Sequence, residues 1–213
     1  MRKTAIIYDL DNCLAPATAV GEALLEPAFD AVRAVNRGTL DASRLEAAFA
    51  DCWVHAFDWV ARTHGFSSEM FEAGWEVLRT LEVAGSMQGY ADIPVLGELD
   101  ARRFLVTSGF RRLQASKVRA LGFEQQFERV SIDAIDEPHR VGKQGIFEQI
   151  LADFGLSADE VLVVGDNPES EIAAGNRLGI MTIQILRPGV EFSPQAMGHV
   201  DSIAGLKTFL QAD

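Results

Sequence analysis

The chain has 213 residues, 48% of them hydrophobic and 23% charged, a globular balance that excludes a disordered tether and can bury a core without disulfides or structural metal. Nineteen basic side chains face 31 acidic ones for a net charge of −12, and with no run of five basic residues to offset it, nucleic acid and anionic membrane surfaces are unfavourable partners. No apolar stretch nears the ~20 residues of a membrane span, Asp9 and Asp11 interrupt the opening apolar run too early for a signal peptide, and Cys13 and Cys52 give neither a disulfide framework nor metal-ligand spacing, so a cytoplasmic protein with reduced thiols is expected.

The first apolar run, Ala5-Ile6-Ile7-Tyr8, reads as a buried strand. It is continuous rather than alternating, as in a parallel sheet covered on both faces. From about Gly21 to Leu81 the patterning is helical, roughly over Glu22 to Val35, Ser43 to Thr63 and Ser67 to Val83. Ser43 and Glu46 are spaced as a capping box, and Gly38, Gly65 and Gly85 stand where helices would end. A bridge from Gly85 to Pro94 leads to further apolar runs: Phe104 to Val106, a weaker Val130 to Ile132, Val161 to Val164, and Ile180 to Ile185. Helical patterns separate them over 111–121, 144–154 and 169–178, with a closing one over 203–210. This alternation predicts a doubly wound, Rossmann-like α/β fold. Residues 1–16 and 90–213 would form the parallel-sheet core, and 17–89 an inserted all-helical lobe.

In open α/β sheets ligands bind at the carboxyl ends of the strands, so the residues after each apolar run are the candidates. They are Asp9-Leu10-Asp11-Asn12, Thr107-Ser108-Gly109 and Gly165-Asp166-Asn167-Pro168, with Lys143 opening the helix that follows the weaker strand. Each has an ordinary structural explanation: Asx turns for the aspartates, an N-cap for Thr107-Ser108, and an N-cap with proline at N1 for Asn167-Pro168. Lys143 fits less easily, because a cation at a helix N-terminus faces the positive end of the dipole. An anionic neighbour would account for it.

In this order Asp9-x-Asp11, Thr107, Lys143 and Gly165-Asp166 with Glu171 resemble the four motifs of the haloacid dehalogenase superfamily, in its phosphatase branch. The resemblance covers nearly the whole chain, since the helical insert after the first strand is similar to that family's mobile cap. It implies that Asp9 is the nucleophile and Asp11 the general acid and base. Thr107 would bind a phosphoryl oxygen, and Lys143 would hold nucleophile and phosphate together. Asp9, Asp166 and the backbone carbonyl of Asp11 would bind magnesium. Ser108, Gly109 and Asn12 are expected beside the substrate, with Glu171 and Asn167 behind the metal ligands. Three positions depart from the family pattern. Asn12 replaces glycine, Cys13 replaces threonine or serine and so exchanges a firm hydroxyl donor for a weak thiol, and Glu171 replaces aspartate. A redox role for Cys13 is a separate alternative.

Elementary electrostatics agrees with that implication. Asp9, Asp11, Asp166 and Glu171 against Lys143 leave three negative charges, and a phosphate monoester adds about two more. Oxygen-only ligands around such a charge suit magnesium. An aspartate nucleophile would split hydrolysis into phosphoryl transfer and aspartyl-phosphate hydrolysis, with the neighbouring acid serving both steps. The expected substrate is a small phosphorylated metabolite, with the Asp11-Asn12 pair resembling the nucleotidase-related branch. His55, Trp59 and Arg62 share a helical face that could line the cleft, and Arg111 and Arg112 could meet a second anionic group. A dehalogenase is opposed by Asp11, since carbon–halogen hydrolysis has no leaving oxygen to protonate. A sugar-phosphate mutase or a non-catalytic phospholigand-binding module stay open, and the sequence is silent on oligomeric state.

Overall fold

The computed structural model describes residues 2–210. Strand β1 (Ala5–Tyr8) is followed by helices α1 (Glu26–Val35), α2 (Ala42–Asp51), α3 (Phe57–His64) and α4 (Ser68–Leu78). The chain then alternates through β2 (Arg102–Gly109), α5 (Arg111–Ala120), β3 (Arg129–Ala134), α6 (Gly142–Phe154), β4 (Val161–Gly165), α7 (Ala173–Arg177) and β5 (Met181–Ile185). It closes with β6 (Gly198–Val200) and α8 (Lys207–Leu210). The sheet order is β3-β2-β1-β4-β5-β6, every neighbouring pair parallel. This is the doubly wound architecture expected from the alternation.

The continuous apolar runs are explained by what lies on each face. Ile6, Tyr8, Leu105, Leu162 and Val164 join one buried cluster. Their strand neighbours Ala5, Ile7, Phe104, Val106, Val161 and Val163 join the other. Successive side chains point to opposite faces, so a strand covered on both sides has no polar position. Fully burying each isoleucine or valine is worth about 1.5–3 kcal/mol.

The helices between β1 and β2 form a third cluster, in which Phe29, Val32, Phe49, Phe57 and Met70 meet Phe110 and Leu113 at the start of α5. The helical segment is therefore seated on the sheet domain beside the end of β2. Its detail corrects the expected pattern. The predicted helix over 43–63 is two helices, broken at 52–56, and the N-cap of α2 is Asp41, whose side chain accepts from the Arg44 N–H, so Ser43 and Glu46 make no capping box. The predicted helix over 169–178 begins as a wide π-type turn, Pro168–Ile172, capped by Asn167 as anticipated. Strand β6 was not anticipated. Among the described residues no helix is long and apolar enough to cross a membrane.

Candidate active site

Because β1 and β4 are neighbours, their carboxyl ends bring Asp9 and Asp166 together although the two lie far apart in the chain. Lys143, in the first turn of α6, donates 2.7 Å hydrogen bonds to Asp9 Oδ1 and to Glu171 Oε2. The other Glu171 oxygen accepts from the Asn167 N–H at 2.7 Å. Carboxylate atoms of Asp9, Asp166 and Glu171 all lie within 4.8 Å of one another, and all three residues are buried. Lys143 thus has the anionic neighbours that its place at a helix N-terminus called for. Gly165 makes the arrangement possible, since a Cβ there would collide with the Glu171 side chain.

Burial dominates the ionisation of this cluster. It raises the Asp9 carboxyl to about 7, with Glu171 and Asp11 adding to the effect and Lys143 opposing it. Burial likewise raises Asp166, to about 9, reinforced by Glu171 and Asp9. Burial works against the Lys143 ammonium too, yet Asp9 and Glu171 outweigh it and carry its pKa above the ordinary lysine range. Crowded carboxylates held this far from their usual acidity suit a hard cation that would compete with protons for the same oxygens. Both Glu171 oxygens are engaged by Lys143 and Asn167, so Asp9 and Asp166 carry the oxygens a metal would take. Glu171 orients Lys143 instead.

Asp11 is paired with a residue that sequence reasoning missed. Lys117, buried on α5, reaches its two oxygens at 2.9 and 2.8 Å. The Gln114 Nε2 donates to the same carboxylate at 3.1 Å. The charge count therefore changes: two ammonium groups face four carboxylates, leaving two negative charges rather than three. The available signal was a lysine one turn after Leu113, on the helical face that carries Leu113 and Gln114.

All these groups line one cavity of about 350 Å³ between the sheet edge and the helical segment. Thr107, Ser108, Gly109 and Asn12 line it too. Thr107 is 1% exposed. The Ser108 hydroxyl donates to Asp133 at 2.9 Å. Asn12, with φ of 54°, accepts from the Ala17 N–H and donates to the Trp53 carbonyl. Asn167 donates to the Val54 carbonyl at 3.4 Å. Two asparagines from the sheet edge therefore hold the 52–56 break over the site.

Other side chains complete this junction. Arg140 makes two 2.8 Å contacts with Asp133 and a third with Asp58 on α3. His55 and Trp59 stack at 3.8 Å between centroids, and both line the cavity with Arg62. Burial lowers the His55 pKa. Arg111 and Arg112 do not line the cavity. They are exposed and paired with Glu137 and Glu82.

Cys13 is fully buried, and its thiol donates to the Val164 carbonyl at 3.6 Å. Burial first, then Asp9, Asp166 and Glu171, push the thiol well above its ordinary value. Such a thiol is a packing group that ties β1 to β4, not a reactive thiolate.

Comparison with known proteins agrees with this geometry. Residues 3–179 match the haloacid dehalogenase-like hydrolase family. The chain belongs to that family of hydrolases. A glyceraldehyde 3-phosphate phosphatase from Methanopyrus kandleri is 25% identical over 202 residues, covering 86% of this chain and 84% of its own. A HAD phosphatase from Thermococcus onnurineus superposes with a TM-score of 0.66 at 18% identity over 99% of both chains. The HAD-hydrolase YfnB from Bacillus subtilis, bound to magnesium, gives 0.67 at 15% identity over 100% of both. A 2-haloacid dehalogenase from Pseudomonas syringae gives 0.60 at 18% over 98% of both. Phosphatases and dehalogenases share this fold, so the reaction must be argued from the side chains.

Proposed function

We propose that the protein is a magnesium-dependent phosphate monoester hydrolase for a small phosphorylated metabolite, working through a phosphoryl-Asp9 intermediate. The observation that carries the reading is the buried group of Asp9, Lys143, Glu171 and Asp166, four charged side chains converging on one point of the cavity. Asp9 and Asp166, with the Asp11 backbone carbonyl, would hold the magnesium, which neutralises carboxylate and phosphate charge when bound. YfnB, similar in fold, binds magnesium.

The chain's own groups do the rest. A carboxylate oxygen of Asp9 attacks phosphorus as the bond to the leaving oxygen breaks, and Asp11 gives that oxygen its proton. Asp11, now ionised, takes a proton from water as water attacks the phosphoryl-aspartate, which restores Asp9 and releases phosphate. Lys143 fixes the attacking carboxylate, and Thr107 faces the phosphoryl oxygens.

Residues 17–89 act as the cap in this reading, with the 52–56 break as the part that meets the substrate. The cavity volume of about 350 Å³ sits at the small end of metabolite pockets, and the relative from Methanopyrus kandleri is named for a three-carbon phosphate. A panel of phosphorylated metabolites in magnesium, read by released phosphate, tests the reading. Asp9→Asn should stay folded and fall to background, whereas near-normal release by that variant would end the phosphoryl-aspartate proposal.

A further inference from the structure

The general acid proposed above does not stand free. Lys117 Nζ contacts both Asp11 oxygens, and its side chain is only 8% exposed. Gln114, one turn earlier on α5, shares the acceptor Asp11 Oδ2 with it and also donates to the Ser108 carbonyl at 2.9 Å. Both partners are acceptors, so the amide nitrogen must face them, and the orientation of Gln114 is settled. Its Oε1 is thereby left buried with no hydrogen-bond partner among the described residues.

Burying an unmatched acceptor is unfavourable, and this one is held on purpose-built ground. Gly109, with φ of 146°, leaves the space in which the Gln114 amide lies. A Cβ there would stand 2.7 Å from Nε2. Lys117 and Gln114 meet on one carboxylate atom, Asp11 Oδ2, so the ammonium and the amide group that carries the free Oε1 stand side by side.

We infer that Lys117 and Gln114 are positioning residues that give Asp11 two stations. In the first, the ammonium and the amide hold the carboxylate back from the substrate, as in this structure. In the second, Asp11 leaves the ammonium, takes up a proton from solvent and turns toward the leaving oxygen, and Gln114 Oε1 accepts from the ammonium it releases. Lysine and glutamine exchange partners, and the buried acceptor is satisfied only in the working state. The inference rests on Asp11 being the acid and base of the proposed reaction.

The test uses β-glycerophosphate as an alkyl phosphate and four enzymes: wild type, Lys117→Met, Asp11→Asn and the double variant. Lys117→Met should lower kcat by on the order of tenfold to a hundredfold, a typical cost of misplacing a reacting group, with a much smaller change in KM. In the Asp11→Asn background it should add nothing, because it acts through Asp11. The double variant buries no unpaired charge, which keeps folding out of the comparison. A loss by Lys117→Met that is equally deep without the Asp11 carboxylate would overturn the inference. So would wild-type kcat in Lys117→Met while Asp11→Asn is crippled. Wild-type kcat in Asp11→Asn would instead bring down the proposed acid itself, and the inference with it.

Gln114→Met keeps the ion pair and removes the second station. It should lower kcat about tenfold, and full activity would refute the exchange. A crystal structure with magnesium and beryllium fluoride, a mimic of the phosphoryl group on aspartate, gives a direct reading. Lys117 Nζ should lie within about 3.2 Å of Gln114 Oε1, and an unchanged Lys117–Asp11 pair would overturn the proposal.

Discussion

The two walls of the cavity are built on opposite terms. At the sheet edge, charged groups are buried and crowded: Asp9, Asp166, Glu171 and Lys143 are each 8% exposed or less. Beside the cavity the helical segment meets that edge through neutral amides, Asn12 to Trp53 and Asn167 to Val54, and through the Arg140–Asp58 ion pair, whose side chains are each about a third exposed. The first wall holds its groups in rigid positions at a cost in like-charge repulsion. The polar contacts of the second wall can be exchanged for water at little cost, while the apolar seat on Phe110 and Leu113 keeps the segment attached. Buried charge is therefore anchored at the strand ends, and the facing wall closes on it through weaker polar contacts.

The sharpest way to break this contrast is Asp166→Asn. It removes one of two free oxygen donors, so phosphate release should drop to near background at magnesium concentrations that saturate the wild type. It also removes a carboxyl that burial and its charged neighbours hold far above its ordinary pKa, so at neutral pH the metal-free variant should melt higher than the metal-free wild type, by about 2–4 °C for each kcal/mol of that cost relieved. Calorimetry with and without magnesium checks both signs. A variant that melts lower and still gains from magnesium would mean the cluster is not under repulsion.

Gly165→Ala should have a smaller effect on the same wall. The new methyl group displaces Glu171, and Lys143 loses a partner. Overpacking of this kind typically costs about 1–3 kcal/mol, and disturbing a group behind the metal ligands about 10–100-fold in activity. Denaturant unfolding and turnover measure the two; wild-type values in both would show that Glu171 is not held by this contact.

The smallest change is expected on the other wall. Asp58→Asn removes this partly exposed pair while leaving Arg140 on Asp133, so stability should move by less than about 1 kcal/mol. Relative kcat/KM across a substrate panel should shift severalfold nonetheless. An unaltered preference would show that α3 does not read the substrate.

The strands of the sheet were legible because burial on both faces leaves runs such as Val161-Leu162-Val163-Val164 with no polar residue. The three-residue β6, Gly-His-Val, carries no such run. The break between α2 and α3 escaped for a different reason. Asp51-Cys52-Trp53-Val54-His55-Ala56 contains neither glycine nor proline, and the carbonyls freed there are met by Asn12 and Asn167, far away in sequence. Asp9, Asp11, Lys143 and Asp166 were legible because they follow strand ends in a known order. Lys117 belongs to no such pattern: it lies 106 residues from Asp11 and meets it only once β1 and β2 are paired. Local patterning reports what a segment buries, and cannot report a partner that arrives from another strand.

The central place of β1 in the sheet also bears on how the protein is made. The amino-terminal strand is hydrogen-bonded on one side to β2 and on the other to β4. Asp9 waits for Lys143, 134 residues later, and Cys13 for the Val164 carbonyl, 151 residues later. A ribosome adding roughly 5–20 residues per second needs about seven to thirty seconds to cover that span. Until β2 is made the first strand has two unpaired edges, and until β4 is made it keeps one, a ready template for another nascent chain. A chaperone that shields residues 4–10 until β4 emerges should raise the soluble yield, and shielding added only after release should not.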